Sequence, residues 1–164
     1  MLKRRLFKKK TDPLKMEGLK PLLSKEPDNF KVELFVAEQN TYLLVIKVTG
    51  DYPSGSLGVK QAHWLKLMTA QASFGFEPYG IILDFSDLSY QWGDGLFQAV
   101  QVIDAYANSD DDGLRENFQL VFVVGEQSKH GIKSLLGEKA SLFDDLDKAI
   151  KFVDTKVTAW LEEI

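Results

Sequence analysis

Few side chains in this chain are placed to carry chemistry. Asp84 and Asp87 close an apolar run, Ile81-Ile82-Leu83, and Asp94 follows in the bend Trp92-Gly93-Asp94-Gly95. Carboxylates at the C-terminal end of a buried strand stand where open α/β sheets present functional groups, and phosphoryl-transfer sites use them there. Their usual companions are missing: the sequence shows no second acidic cluster and no recognisable phosphate lysine. Gly125 lacks the glycine spacing of a nucleotide loop and reads as a turn. Ser86 or Asp87 reads as the cap of the turn after the strand. The two histidines, His63 and His130, lie far apart without ligand spacing, and no serine or carboxylate partner for a triad can be assigned to either. The run Asp110, Asp111, Asp112 lacks the alternation and closing glutamate of a calcium loop and reads as a solvated loop. An enzyme built on Asp84 and Asp94 is therefore the least supported of three functions, and no catalytic residue, metal or cofactor is expected.

Composition narrows the classes further. The chain has 164 residues, 45% of them hydrophobic and 12% aromatic, enough apolar surface for one domain with a real core. It has no cysteine, which excludes disulfide scaffolds, thiolate zinc sites and cysteine nucleophiles. The apolar stretches are strand-sized, short of the ~18 residues a membrane helix needs, so a soluble, cytoplasmic protein is expected. Charge is uneven: the first ten residues carry six basic and no acidic side chains, leaving 14 basic and 24 acidic in the remainder. Only Leu6 and Phe7 interrupt that basic run, too little for a secretory signal. The tail reads as a solvated end that could contact an acidic surface, and the acidic body argues against nucleic acid as the main ligand.

The elements follow from periodicity. Residues 1–30 form a basic leader punctuated by Pro13, Gly18, Pro21 and Pro27, with room for a helical turn at Leu19–Leu23. From Lys31 a single domain is expected to run to residue 164. Val32, Leu34 and Val36 alternate with Glu33 and Phe35, and Tyr42–Val48 is nearly all apolar, so two strands joined through Glu38, Gln39 and Asn40 form a hairpin. Ala62, Leu65, Met68, Thr69 and Ala72 mark a helix with one buried face. Tyr79–Phe85 reads as a strand buried on both faces. Leu96, Ala99, Val100, Ile103 and Ala107 repeat the helical period, Leu120–Val124 is another buried strand, and a brief helix falls near Ile132–Leu136. Leu146, Ala149, Ile150, Val153, Val157, Trp160 and Leu161 form the stripe of a terminal helix. This order predicts an α/β domain: a four- to five-stranded, mostly parallel sheet with an N-terminal antiparallel hairpin and packed helices.

The stretch from Ile81 to Leu96, with its order of buried strand, polar turn, aromatic, glycine-rich bend and helix, resembles the STAS domain of sulfate transporters and anti-sigma factor antagonists. The close Leu142-Phe143-Asp144-Asp145-Leu146-Asp147-Lys148-Ala149-Ile150 is similar to that family's ending, and the order of elements matches from about Lys31 onward. The resemblance implies a non-catalytic module that binds a regulatory protein through the loop and helix start, with Tyr90, Trp92, Gly93, Asp94 and Gly95 as the contact segment. It also implies a difference. The family's aspartate falls on Trp92, its phosphorylatable serine on Gly93 and its second hydroxyl residue on Asp94, while Gly95 and Leu96 match. Gly93 has no hydroxyl, so phosphoserine control is not expected, and Ser86 and Ser89 precede the bend. Asp94 is read either as a helix N-cap or as a cap that also offers a permanent carboxylate for recognition. Trp92 is read either as an exposed anchor together with Tyr90 or as packing against the sheet end. The competing function of another class is an inhibitor or immunity-type protein whose acidic body blocks a basic effector.

Overall fold

The computed structural model describes residues 25–37, 42–109 and 117–164. The basic tail, the turn at Leu19–Leu23, the hairpin connection at Glu38–Asn40 and the acidic run Asp110–Asp112 lie outside them. The elements in order are β1 (Phe30–Ala37), β2 (Leu43–Asp51), α1 (Val59–Phe76), β3 (Gly80–Phe85), β4 (Leu88–Ser89), α2 (Phe97–Ala107), β5 (Gln119–Val124), α3 (Lys129–Leu136), β6 (Leu142–Phe143) and α4 (Leu146–Glu162). Short 3-10 turns, Gly55–Gly58 and Asp94–Leu96, lead into α1 and α2.

The sheet runs β1-β2-β3-β5-β6, with β4 pairing the end of β2. β1 and β2 are the antiparallel hairpin, and β2, β3, β5 and β6 pair in parallel. The four long strands are those expected from the apolar runs. The two-residue strands β4 and β6 extend the sheet to six; two residues are too few to show a period. All six residues of β3 are buried, because β2 and β5 flank it and helices cover both faces, as its unbroken apolar run requires. Each such Ile or Leu contributes about 1.5–3 kcal/mol of burial.

Two cores divide across the sheet. Leu44, Ile46, Ile81, Leu83, Phe85 and Phe122 meet Ala62, Leu65 and Ala72 of α1, Ala99, Val100 and Ile103 of α2, and Ile132 of α3. On the other face Leu43, Val45, Ile82, Val121 and Val123 meet Ala149, Val153 and Val157 of α4, whose four-residue spacing keeps them on one stripe. Asp145 caps α4 by accepting the Lys148 N–H at 3.0 Å. The sheet thus carries three helices on one face and one on the other. No helix among the described residues is long and apolar enough to cross a membrane.

Candidate functional site

The loop from β4 to α2 is held from below by two tyrosines. Tyr90 is 2% exposed. It packs edge-on to Tyr52 at 5.3 Å between ring centroids, and its hydroxyl donates to the Gly93 carbonyl at 2.9 Å. Its backbone N–H donates to the Gln127 carbonyl at 3.1 Å, and α3 comes so close that a Cβ on Gly131 would lie 2.7 Å from the Tyr90 ring. The reading of Tyr90 as an exposed partner of Trp92 is corrected by these contacts: it shapes the loop from inside. Gly93, also buried, takes φ 143° and ψ 123°, a region open essentially to glycine alone.

Burial of the two phenols sets an alkaline limit on this loop. Desolvation, helped by Tyr52 and by the Asp94 charge, pushes the Tyr90 hydroxyl up to about 12. Burial also raises Tyr52, against a backbone hydrogen bond from Leu96. Both shifts favour the neutral phenol in the folded state, so their contribution to stability is complete below the unfolded value of ~10 and disappears as pH rises toward 12. Ultraviolet titration of tyrosine ionisation, followed alongside circular dichroism, should show the phenols of Tyr52 and Tyr90 ionising late and together with loss of structure. Ionisation of Tyr52 and Tyr90 near the ordinary phenol value, ahead of any loss of structure, would contradict the packing.

Trp92 points the other way. It is 62% exposed, and Val59, which lines one groove with it, is 49% exposed. Its carbonyl accepts the Gly55 N–H at 3.3 Å, and its ring lies over Gly55, where a Cβ would come 2.5 Å from the indole. Trp92 forms a ridge between two grooves. One, of about 320 Å³, is lined in part by Tyr52, Gly55, Val59, His63, Asp94 and Gln98. The other, of about 760 Å³, is lined in part by Ser89, Gln91, Glu126, His130 and Ser134. The two histidines that sequence leaves without a role thus flank the same tryptophan.

Asp94 is exposed, but the cap reading is corrected. The 3-10 turn Asp94–Leu96 stands between it and α2, the N-cap of that turn is Gly93, and no side-chain capping bond forms there. Asp94→Ala should therefore leave stability within ~0.5 kcal/mol of wild type, as for an ordinary surface position, rather than costing the ~1 kcal/mol of a lost cap. Urea denaturation of the two proteins decides between these values.

The other aspartates serve the sheet. Asp84 is 1% exposed; one carboxylate oxygen accepts the Ser86 N–H at 3.0 Å, so Asp84 makes the turn bond expected of Ser86 or Asp87. Asp87 pairs with Lys47 at 2.9 Å, and that hydrogen bond raises the Lys47 ammonium above its ordinary value despite partial desolvation. Lys47 was invisible to sequence reading, since only the parallel register sets it opposite Asp84. Neither groove beside Trp92 has Asp84 in its lining, so Asp84 and Asp94 are not brought together. Gly125 is more than a turn: a Cβ there would fall 2.0 Å from the Ser86 carbonyl. The buried Ser128 donates to the Phe85 carbonyl at 2.7 Å, tying β3 to the start of α3. Among the described residues no group of three or more potential ligands could hold a metal ion.

An antiparallel hairpin feeding a parallel sheet, three helices against one, and a bend opening α2 define the fold of the STAS domain. By sequence, no protein-family model and no curated protein matches the chain. By structure, it is similar to an anti-sigma factor antagonist from Mycobacterium paratuberculosis, with a TM-score of 0.54 and 15% identity over 79% of this chain and 97% of that one. It also aligns with the phosphorylated form of the Bacillus cell fate determinant SpoIIAA, at a TM-score of 0.47 and 15% identity over 76% and 98% of the two chains.

Proposed function

We propose that this chain is a non-catalytic interaction module that binds a regulatory protein through the ridge at Trp92, without phosphoserine control. The observation that carries this reading is the ridge itself. A tryptophan 62% exposed sits on a glycine-built bend, with the half-exposed Val59 lining the same groove. Aromatic anchors ringed by lesser contacts are the form that binding hot spots take, and a pre-organised loop loses little entropy on docking. The likeness to an anti-sigma factor antagonist supports the regulatory class of partner, and Gly93 in place of a serine removes the acceptor for a phosphate. Within this reading Trp92 anchors, Asp94 contributes from the rim, Tyr90 and Gly93 fix the shape, and Gly95 lets α1 approach, since a Cβ there would lie 2.8 Å from that of Ala62.

Capture of the partner from native lysate, followed by oxidative footprinting of the complex, tests the proposal. Trp92 should be protected in the complex while Ile164, exposed at the far terminus, is not; a Trp92 equally oxidised free and bound ends the reading. Asp94→Asn should weaken the same complex by at most ~1 kcal/mol, about five-fold, because an exposed rim charge is largely screened. If the captured partner were instead a basic effector whose activity the chain inhibits, the inhibitor reading would replace this one.

A further inference from the structure

The outer edge of β1 is built in two unlike halves. Asp51 donates its N–H to the Asn29 carbonyl at 2.7 Å, and the register continues from Phe30↔Gly50 to Ala37↔Leu43. Antiparallel strands alternate bonded and non-bonded pairs, so Lys31, Glu33, Phe35 and Ala37 bond to β2, and the backbone groups of Phe30, Val32, Leu34 and Val36 face outward. In the first half that edge is closed. A Glu26 carboxylate oxygen accepts the Val32 N–H at 3.1 Å, and the Lys31–Glu33 pair at 2.8 Å adds charge beside it.

Among the described residues the second half has no such protection. Leu34, Phe35 and Val36 are 38%, 52% and 48% exposed, Ala37 is exposed, and none of the four is charged or a proline. Natural sheets guard their edges with charge, proline or a bulge, and an open apolar edge is the structure that accepts an added strand.

We propose that Leu34–Ala37 is a self-association edge, on which β1 of a second copy pairs antiparallel about a two-fold axis at Phe35. That axis sets Leu34 opposite Val36 of the second copy, so their outward N–H and C=O groups bond reciprocally. Phe35 meets Phe35 of the second copy as a non-bonded pair on one face, while the Leu and Val side chains meet on the other. Glu33 falls opposite Ala37, and no like charges oppose one another. An axis at Glu33 would set two glutamates face to face, and one at Leu34 would need the Val32 N–H that Glu26 already holds. So short an edge buries well under the ~1,200 Å² of a stable interface, which makes the pair a weak, concentration-dependent dimer that joins two sheets into one.

The natural absence of cysteine makes a direct test possible in the full chain. A non-bonded pair brings Cα atoms to ~4.5 Å, within disulfide range. Under mild oxidation Phe35→Cys should give a covalent dimer about ten-fold faster than Phe74→Cys, an equally exposed position on α1, owing to the effective concentration within the pair. Wild type should show concentration-dependent sedimentation that Phe35→Lys abolishes. Equal crosslinking at the two positions, or a wild type monomeric at every concentration, overturns the proposal. Leu34 and Val36 amides protected from exchange in a monomer would also overturn it, since a segment of the same chain would then cover the edge.

Discussion

Replacing Trp92 with alanine is expected to weaken binding of the captured regulatory partner roughly 30-fold or more, the ~2 kcal/mol that defines a hot spot, while the fold survives. The two effects separate because the side chain is 62% exposed and the part of the indole that packs lies over Gly55. Loss of that contact should cost under ~1 kcal/mol, a shift of about 2–4 °C in Tm for a chain of this size. Isothermal titration with the partner and a thermal melt of the same preparation provide both numbers. Trp64 and Trp160 supply the internal control, being packed against the two cores, where truncation costs stability first. A Trp92→Ala protein that binds normally would remove the anchor, and with it the reading of this loop as the docking surface.

Gly93→Ser, which restores a hydroxyl at the position matching the family's serine, is expected to destabilise the protein by about 2–3 kcal/mol rather than install a switch. At φ 143° a side chain is strained whatever space surrounds it. A Cβ would also lie 3.2 Å from the Tyr52 ring and 3.3 Å from the Gly55 nitrogen, neighbours pinned by the packing that buries Tyr90. Gly93→Ala should cost nearly as much, because backbone strain rather than the hydroxyl sets the penalty, and urea denaturation of both variants measures it. A Gly93→Ser protein as stable as wild type would mean that the bend has a second conformation open to L-residues. The proposed lack of phosphoserine control would then rest on the missing hydroxyl alone.

Periodicity located all four long strands and the four helices, because burial on one or both faces writes a period of two, a period near 3.6, or an unbroken apolar run directly into the chain. The central place of β3 followed from Ile81-Ile82-Leu83 for the same reason, and the bend followed from what glycine permits, positive φ at Gly93 and close approach at Gly95. Other features depend on residues distant in sequence. Tyr90 and Trp92 stand two apart in one loop, and no local pattern says which is buried. Tyr52 and Gly131 decide it by closing over Tyr90, leaving Trp92 on the outside. Asp94 has the residue type of a cap, yet the 3-10 turn that carries it moves the start of α2 to Phe97. Lys47 finds Asp87 because the strand register brings their segments together. The open half of β1 becomes visible once Glu26 is seen to close the other half. Local sequence therefore determined the elements and their order, since each is encoded by the faces it must bury. Tertiary packing decided which side chains of the loop face solvent, because that choice depends on contacts between segments about forty residues apart.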